Sequence, residues 1–571
     1  MKLWRKRWRI APPAPPGLFR RFSLRPLVAQ VLYNRGLTEP GAVQVFLEGR
    51  VEADAPFRLC DVEPAVTLIR RFVRQGQPLA VYGDYDADGI TALALLAQVL
   101  EALGARVFPY IPDREDEGYG LNREAIHGLY RRGTRLLLTV DCGIRSLEEV
   151  ALARKLGMAV VVTDHHHVGE ALPRAEAVIN PRRSDNVYPF KDFAGVGVAF
   201  KLAQGLLRVN ARSPLPTTRE DLRETELLDL VALGTVADMV PLLGENHALV
   251  RRGLEVLNAA RRPGVAALLE TLELEPGDVK ASTIGYVLAP RLNAAGRLGD
   301  PLTAFRLLMA SDVREALSIA AELEALNRQR QELTRYVEER ARTLVLEADG
   351  DAPILFAVGS DFPSGIVGLA AGRLAEEFYR PAVVVEKGKT YSKASARSIP
   401  EFHITEALDE VGDLLEQYGG HAAAAGFTVR TERLPQVRER LLALAAERLA
   451  DVQLRPSLFI DAEVPLYTLS WDDYEALENL APFGYGNPRP VLVSRGLFVR
   501  HARVVGSEGQ HLKLYVEDRS GKVWDAIAFR QAHWAERLPE LVDLAYHLER
   551  NEWKGRVTLQ LNVQDIHPSE R

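Results

Sequence analysis

The alternation of apolar and polar residues predicts an α/β domain in the first half of the chain. Its strand-like and helix-like runs follow one another at 79–82, 90–103, 107–111, 122–130, 136–140, 147–156, 159–163 and 177–180. Short apolar strands that alternate with helices are typical of a parallel sheet. In such sheets ligands bind outside the carboxyl ends of the strands, so the residues after each strand are the first candidates for a site.

The same patterning predicts three further regions. Residues 311–347 read as one long helix, which we interpret as an interdomain strut rather than a coiled-coil partner because its apolar seam is short. Apolar runs at 354–358 and 382–385 predict a second, smaller α/β unit. Five short strands from 497 onward, with a helix near 535–541, predict an all-β OB-fold.

The predicted architecture is a parallel-sheet domain and a smaller α/β domain joined by a long helix, plus a C-terminal all-β OB-fold. A chain of 571 residues is too long for one core, which agrees with several domains. The predicted boundaries are 1–55 for an N-terminal helical lead-in, 56–310 for the parallel-sheet domain, 311–348 for the connecting helix, 349–455 for the second α/β domain and 456–571 for a linker segment and the OB-fold.

Composition and charge exclude few classes of function. The net charge of −6 neither requires nor excludes a nucleic-acid partner, because only a local basic patch would matter. The two cysteines form neither a disulfide framework nor a zinc pattern, which favours the cytoplasm. No apolar run approaches the ~18 residues of a membrane span, so we expect no membrane partner. The basic segment 1–25 lacks the apolar core of an export signal.

Carboxylates follow the first strand of the predicted sheet. Asp84, Asp86 and Asp88 are spaced two residues apart, directly after the run at 79–82. In an extended chain such residues share a face, and carboxylates that lie close together repel unless a cation holds them. Their oxygens suit a divalent metal ion. The alternative is an acidic turn that caps the following helix, with Asp88 near the N-cap.

Two other strands of the sheet end in metal-ligand residues. The third strand is followed by Asp141, and the fourth by Asp-His-His at 164–166. Carboxylate together with imidazole suits Mn²⁺ and similar ions. Asp238 lies in an otherwise apolar helical run, and since buried carboxylates are rare unless paired, it is a candidate fifth ligand.

These ordered motifs resemble those of the DHH phosphoesterase superfamily. They are Asp-x-Asp-x-Asp-Gly at 84–89, Asp-Cys-Gly at 141–143, Asp-His-His at 164–166 and Gly-Thr-x-Ala-Asp-x-Val-Pro at 234–241. Later stretches, including Pro-Phe-Gly-Tyr-Gly-Asn-Pro at 482–488, are similar to the RecJ family of single-strand-specific 5′→3′ exonucleases. The resemblance extends over residues 70–568.

The resemblance implies a site for two divalent metal ions, Mn²⁺ or Mg²⁺. Its metal ligands would be Asp84, Asp86, Asp141, His165 and Asp238. Asp141 would bridge the two ions, and His166 would face the scissile phosphate. The predicted catalytic residues are His166, Asp141 and Asp88. Ala80 stands where the related pyrophosphatases carry a histidine, which suits the nuclease branch.

The resemblance also implies residues that bind DNA or its 5′-phosphate. In the parallel-sheet domain these are Arg114, Asn293 and Arg297. In the second α/β unit, which resembles the DHHA1 domain, they are Ser395, Arg397 and His421. In the OB-fold they are Tyr515 and Trp524, as base-stacking residues. The alternative for Arg297 is a structural ion pair with Asp300.

Together these features predict a single-stranded-DNA-specific 5′→3′ exonuclease that releases 5′-mononucleotides by two-metal hydrolysis in recombination and repair. A phosphodiesterase for short RNAs or cyclic dinucleotides is one alternative, which the additional β domain argues against. A metal-free DNA-binding scaffold is the other, which the complete ligand set argues against. We expect a monomer that acts on single-stranded DNA with a single-strand-binding protein and a helicase. Some chains of this family continue further, so a partner-binding domain after Arg571 is compatible with the resemblance.

Overall fold

The computed structural model describes residues 6–18, 24–49, 56–114, 117–553 and 555–569. Its described part contains one two-stranded, two five-stranded and one six-stranded sheet. Parts of the predicted lead-in, residues 1–5, 19–23 and 50–55, lie outside the described residues. Among the helices that are described, none combines the length and the apolar character needed to cross a membrane.

The N-terminal segment packs on the C-terminal domain. Its elements are β1 (Arg7–Ile10), α1 (Pro26–Asn34) and α2 (Pro40–Glu48). Strand β1 pairs in parallel with residues 457–460. Leu32 and Phe46, from the two helices, are buried in the same core as the C-terminal β-strands. The two helices are as predicted, but in the described residues this segment has no core of its own.

A parallel five-stranded sheet forms the centre of the first half of the chain. Its helices and strands are α3 (Val62–Arg74), β2 (Leu79–Tyr82), α4 (Ala87–Ala102), β3 (Val107–Tyr110), α5 (Arg123–Arg131), β4 (Leu136–Val140), α6 (Leu147–Lys155), β5 (Ala159–Thr163) and β6 (Ala177–Ile179). The strand order is β3-β2-β4-β5-β6, and every pairing is parallel. The predicted α/β sheet is confirmed, and the carboxyl ends of β2, β4 and β5 therefore meet at one edge.

Helices cover this sheet and extend to the next domain. They are α7 (Gly195–Arg212), α8 (Leu228–Ala237), α9 (Gly244–Asn258), α10 (Pro263–Thr271), α11 (Ala281–Thr283), α12 (Ala289–Leu298), α13 (Leu302–Met309) and α14 (Val313–Asp349). A π-helical turn, Ile284–Leu288, joins α11 to α12. The 37 residues of α14 span roughly 55 Å. Helix α14 packs on α10 and α12 in this domain and on the second α/β unit, which confirms the predicted strut.

The second α/β unit contains β7 (Leu355–Gly359), α15 (Ser364–Phe378), β8 (Ala382–Glu386), β9 (Tyr391–Arg397), α16 (Ile404–Asp409), β10 (Leu415–His421), β11 (Ala424–Arg430) and α17 (Leu434–Leu449). Its strand order is β10-β11-β9-β8-β7. Strands β7 and β8 are parallel, and the other pairs are antiparallel.

The C-terminal domain is a closed barrel. Its elements are β12 (Ser457–Ile460), β13 (Ala462–Glu463), α18 (Trp471–Glu478), β14 (Leu492–Val505), β15 (His511–Glu517), β16 (Val523–Ala528), β17 (Leu541–Trp553) and β18 (Arg556–Pro568). Strand β14 pairs with both β15 and β17, which closes the barrel and confirms the OB-fold.

The helix predicted near 535–541 is wrong. The described chain between β16 and β17 has one short 3₁₀ turn, Ala532–Trp534, instead. Pro539 disfavours helical backbone at the residue before it, and Leu541 is already paired with Phe498 of β14.

Candidate metal centre and phosphate cleft

The loop after β2 holds its first two carboxylates in different ways. Asp84 is buried, and its Oδ1 accepts a hydrogen bond of 2.8 Å from the backbone N–H of Tyr85. Asp86 is the N-cap of α4, and its Oδ1 accepts from the N–H groups of Asp88 and Gly89 at 3.0 Å each. Asp84 and Asp86 each also offer an oxygen within 4.8 Å of an oxygen of Asp141. The loop thus caps a helix and gathers carboxylates at one point.

Asp88 is buried and fixes a neighbouring helix. Its two oxygens accept from the backbone N–H groups of Gly195, at 2.6 Å, and Val196, at 2.9 Å. These are the first residues of α7, where a negative side chain is favourable because the N-terminal end of a helix is partly positive. An oxygen of Asp88 also lies within 4.8 Å of ligand atoms of His165 and Asp238.

Asp141 adopts a strained backbone at the end of β4. Its φ of 59° is in the left-handed region, which costs energy for a residue with a Cβ. Oδ1 of Asp141 lies 3.1 Å from Nε2 of His165, yet neither atom has a hydrogen-bond partner in the described residues. Gly195 lies against this carboxylate, because a Cβ built there would be 2.5 Å from Oδ1. The first residue of α7 must therefore be small.

His165 directs its Nε2 towards the acidic cluster. Its Nε2 is also 3.6 Å from Oδ2 of Asp238, an oxygen that likewise has no hydrogen-bond partner in the described chain. Burial, with the nearby charge of His166, lowers the pKa of His165 to about 4. At neutral pH the imidazole is therefore uncharged and has a lone pair for a metal ion.

His166 is held by a buried carboxylate. Its Nδ1 lies 2.7 Å from Oδ1 of Asp164, and the hydroxyl of Tyr119 is 3.1 Å from the same nitrogen. Burial alone would lower the pKa of His166, but the hydrogen bond and charge of Asp164 outweigh it and raise the pKa. Asp164 also accepts from the N–H of Ile144 at 2.9 Å. These contacts leave Nε2 as the ring nitrogen available to a substrate.

The carboxylate cluster is electrostatically costly without cations. Burial raises the pKa of Asp84 and Asp141 well above the usual range, and the charges of neighbouring aspartates raise them further. Burial and the same repulsion raise the pKa of Asp88 to about 7 and that of Asp238 to about 9. Oxygen and imidazole donors that have no partner and repel one another fit divalent metal ions, which would neutralise them. The five predicted ligands therefore converge on one place.

Arg297 joins the first domain to the second α/β unit. Its Nη1 donates a hydrogen bond of 2.8 Å to the carbonyl of Gly365, in the first turn of α15. The alternative ion pair with Asp300 is not formed, since Asp300 pairs with Arg306 at 3.3 Å. Burial, with the charge of Arg114, lowers the pKa of Arg297 to about 10.

Arg397 and Ser395 lie together on β9, where Arg397 provides a second partly buried positive charge. Nη1 of Arg397 donates to Oγ of Ser395 at 3.0 Å. Burial lowers the pKa of Arg397, and the charge of Arg114 lowers it further. Arg114 itself stacks on the ring of Tyr85, 4.9 Å from its centre. No described carboxylate forms an ion pair with Arg297 or Arg397, so both guanidinium groups are available to bind a phosphate.

The remaining residues that were predicted to contact DNA lie in different surroundings. Oδ1 of Asn293 accepts from the N–H of Ala87 at 2.8 Å, so this residue also positions the first carboxylate loop. His421 is exposed, with its ring 6.2 Å from that of His167 across the two domains. Tyr515 lies on the outer surface of β15. The roles of Asn293, His421 and Tyr515 in binding DNA stay predictions.

The prediction that Trp524 stacks on DNA bases is wrong. Its side chain is 4% exposed and belongs to the barrel core, so it does not present a surface on which a base can stack. The reason is the alternation along β16, in which Val523 and Asp525 face outward and Trp524 faces inward.

Three residues of the site were not predicted. The role of Asp164 could have been predicted, because an acidic residue between an apolar strand and two histidines is placed to hydrogen-bond with one of them. No sequence pattern that we recognised indicated the roles of Tyr119 and Gly195, because these roles depend on distances between segments.

Comparisons with known families match three parts of the chain. The description "DHH family, N-terminal domain" matches residues 78–235, "DHHA1 domain" matches 351–450 and "RecJ OB domain" matches 460–565. These ranges contain the parallel sheet, the second α/β unit and most of the barrel.

Curated relatives and solved structures agree with these matches. The single-stranded-DNA-specific exonuclease RecJ of Dickeya dadantii is 37% identical, over 96% of this chain and 96% of its own. That of Bacillus subtilis is 35% identical, over 99% and 71%. The crystal structure of RecJ in complex with Mn²⁺ from Thermus thermophilus superposes with a TM-score of 0.84 at 32% identity, covering 99% of this chain and 80% of that one. The chain belongs to the RecJ family.

Proposed function

We propose that this chain is a single-stranded-DNA-specific exonuclease that degrades its substrate from the 5′ end and releases 5′-mononucleotides. The observation that carries the proposal is the proximity of two complementary groups of residues. Metal-ligand atoms without a hydrogen-bond partner among the described residues lie at Asp141, His165 and Asp238, and the arginines Arg114 and Arg297 lie within electrostatic reach of the same carboxylate cluster. The named relatives are single-stranded-DNA-specific exonucleases, and RecJ from Thermus thermophilus was crystallised with Mn²⁺ and with Mg²⁺.

The arginines beside the carboxylate cluster support the 5′ polarity. A terminal phosphate carries more charge than an internal diester, and guanidinium and hydroxyl groups are strong donors to it. Arg114 lies within electrostatic reach of Asp84, and Arg297 within reach of Asp86, so the terminal phosphate and the first diester would be held side by side. Anchoring the end of the strand beside the metal ligands restricts cleavage to the first linkage.

The residues of the site would have separate roles in the reaction. Asp84, Asp86, Asp141, His165 and Asp238 would hold two divalent ions, which when bound neutralise the phosphodiester and lower the pKa of water. His166, oriented by Asp164, would donate a hydrogen bond from Nε2 to the scissile phosphate. Asp88 would act by holding α7, and thereby Gly195, against Asp141. No nucleophilic side chain is required.

We also propose that the enzyme acts as a monomer in the cytoplasm, on strands that a helicase has opened and a single-strand-binding protein covers. An enzyme restricted to single strands depends on a process that separates duplex DNA, which supports the role of a helicase. Two cysteines without disulfide pairing suit a reducing compartment.

The test is digestion of single-stranded DNA labelled at the 5′ or the 3′ end, with Mn²⁺, beside an Asp141→Ala variant. We expect immediate release of labelled mononucleotide from the 5′ end alone, lost in the variant. Attack confined to dinucleotides would favour a small-substrate phosphodiesterase. Binding without cleavage would favour a DNA-binding scaffold.

A further inference from the structure

Side chains from the turn after β6 hold the backbone of the two histidines at the end of β5. The register of β5 with β6 ends at Ile179, so strand pairing does not extend to these histidines. Instead, Nδ2 of Asn180 donates to the carbonyl of His166 at 2.9 Å, and Nε of Arg182 donates to the carbonyl of His165 at 3.0 Å. Two side chains of the neighbouring segment thus continue the hydrogen bonding where the sheet stops.

The peptide group between His165 and His166 is held at both of its ends. Its N–H, which belongs to His166, donates to Oδ1 of Asp164 at 3.0 Å, and its carbonyl accepts from Arg182. The orientation of this peptide decides where both rings leave the backbone, and the centres of the rings are 4.4 Å apart. Rotation of the peptide would break both hydrogen bonds and displace both rings from the carboxylate cluster.

The turn that carries the two donors is itself rigid. Asn180 is fully buried, and its Oδ1 accepts from the N–H of Arg182 at 2.7 Å. Nδ2 of Asn186, which is also buried, donates to the carbonyl of Pro181 at 2.8 Å. An amide can donate and accept at once, whereas a carboxylate of the same size can only accept. The amide of Asn180 therefore matches both of its partners.

Arg182 also connects this peptide to the segment before α7. Its Nη2 lies 3.1 Å from Oδ1 of Asp192, and the carbonyl of Asp192 accepts from Nδ2 of Asn246 at 2.6 Å. The same nitrogen of Asn246 donates to the carbonyl of Pro241 at 3.1 Å, three residues after Asp238. A continuous set of hydrogen bonds therefore joins the backbone of the histidines to the segment that follows another candidate metal ligand.

We propose that Asn180 and Arg182 are positioning residues, which hold His165 towards the metal ions and His166 towards the scissile phosphate by fixing the backbone of both. The inference rests on the proposed function and deepens it, since the two side chains contact the backbone of the histidines and not their ring nitrogens. Contacts that orient metal ligands typically contribute about 10- to 100-fold in metal affinity or activity. If the two residues only stabilised the fold, metal binding by the folded protein would not depend on them.

Arg182→Met and Arg182→Gln are a matched pair of variants. Both side chains have the length of arginine up to its Nε, but only glutamine can place an N–H there. Electron paramagnetic resonance of free Mn²⁺, with the metal-free full chain, measures the affinity. We expect Arg182→Met to weaken Mn²⁺ binding by about 10- to 100-fold and Arg182→Gln to restore most of the loss. Equal losses would assign the effect to the charge of Arg182 instead of its bond to the carbonyl and, like unchanged binding, would overturn the proposal.

A double-mutant cycle tests whether Arg182 acts through His165. In a His165→Ala background, Arg182→Met should cause no further loss of Mn²⁺ affinity, because the ligand that Arg182 positions is no longer present. A loss by the same factor in both backgrounds would indicate a general disturbance of the fold and would contradict the positioning role.

Asn180→Ala tests the second donor, and Asn258→Ala is its matched control. Asn258, the last residue of α9, likewise donates to two backbone carbonyls, those of Leu254 and Val279, at 2.9 Å each. Both variants should lower the melting temperature, because each removes hydrogen bonds to the backbone. At saturating Mn²⁺ only Asn180→Ala should lower kcat on single-stranded DNA, by about 10- to 100-fold, with little change in KM. The same kcat in both variants would make Asn180 a purely structural residue.

Failure of the positioning role and failure of the proposed function give different results. A parent chain that binds no Mn²⁺ and releases no mononucleotide would refute the proposed function. A parent that does both, with an Arg182→Met variant of equal Mn²⁺ affinity, would refute the positioning role alone.

Discussion

The carboxylate of Asp141 lies against the backbone of Gly195, so close that a Cβ on that glycine would be 2.5 Å from Oδ1. Gly195→Ala should therefore displace Asp141, or α7, by a large fraction of an ångström. We expect nuclease activity to fall by about 100-fold, since misplacement of a reacting group by ~1 Å has effects of that size. Titration with Mn²⁺ should show weaker metal binding in parallel.

Gly128→Ala is the matched control for this variant. Gly128 is also helical, in α5, and a Cβ there would meet no atom within 4 Å. It should leave activity unchanged and stabilise the fold by about 0.5–1 kcal/mol, because alanine is the better helix former. Full activity of Gly195→Ala would show that the cluster tolerates a displaced Asp141.

Asp164→Asn should lower the pKa of His166. The hydrogen bond and charge of Asp164 hold the pKa of the histidine above its usual value, and the substitution removes the charge. NMR titration of the imidazole would measure this shift, which a merely structural effect of Asp164 would not produce. We expect kcat to fall by about 10- to 1000-fold, with the loss greatest at higher pH, where His166 would no longer be protonated. An unchanged pKa of His166 would refute its coupling to Asp164.

Asp238→Asn should stabilise the metal-free protein at pH 8. The folded pKa of Asp238, about 9, lies above its unfolded value of about 3.9. Between about pH 4 and 9 the unfolded chain releases this proton while the folded protein retains it. The free energy of unfolding therefore falls as the pH rises across that range, and Asp238 has no such effect below about pH 4. Scanning calorimetry should show a melting temperature at least about 2 °C higher than that of the parent at pH 8 and an equal one near pH 4.

Added Mn²⁺ should reverse this order. The metal-bound parent gains stability by mass action, while Asp238→Asn has lost a ligand and gains less. Equal stabilisation of both proteins by Mn²⁺ would exclude Asp238 as a ligand.

Arg397→Gln should reduce the preference for a 5′-phosphate. Hydrogen bonds to charged groups contribute about 1.5–3 kcal/mol, so we expect kcat/KM on 5′-phosphorylated DNA to fall by roughly 10- to 150-fold. Strands with a 5′-hydroxyl should be affected much less. Arg430→Gln is the matched control, because it removes an exposed arginine of β11 that pairs with Glu416. A uniform loss on both strand types would place Arg397 outside the 5′-phosphate site.

The sequence was sufficient to predict the sheet, and to predict that the candidate metal ligands come together, for the same physical reason. Five short apolar runs reappear as parallel strands within about one residue of their predicted bounds, because strands buried on both faces leave continuous apolar segments. Parallel strands share a carboxyl edge, so Asp84, Asp141 and His165 could be placed together without knowledge of any distance.

Features that depend on contact between distant segments could not be predicted. Arg297 reaches the carbonyl of Gly365, and β1 pairs with β12, across gaps that local patterning does not encode. The assignment of Trp524 to DNA binding failed for a different reason. The alternation along β16 already indicated an inward side chain, but the prediction weighed residue type above the face of the strand.

The pairing of β1 with β12 has a consequence for how the chain folds during its synthesis. Ile10 is aligned with Ile460, so its partner leaves the ribosome 450 residues later, about 20 to 90 s at ordinary rates of synthesis. Once the parallel-sheet domain has been made, Phe46 of α2 has a partner in it, because its ring stacks on that of His247 at 4.0 Å. Leu32 of α1, in contrast, lacks the barrel core that buries it until the last domain has been made. The nascent chain must therefore keep α1 from aggregating until that domain has emerged.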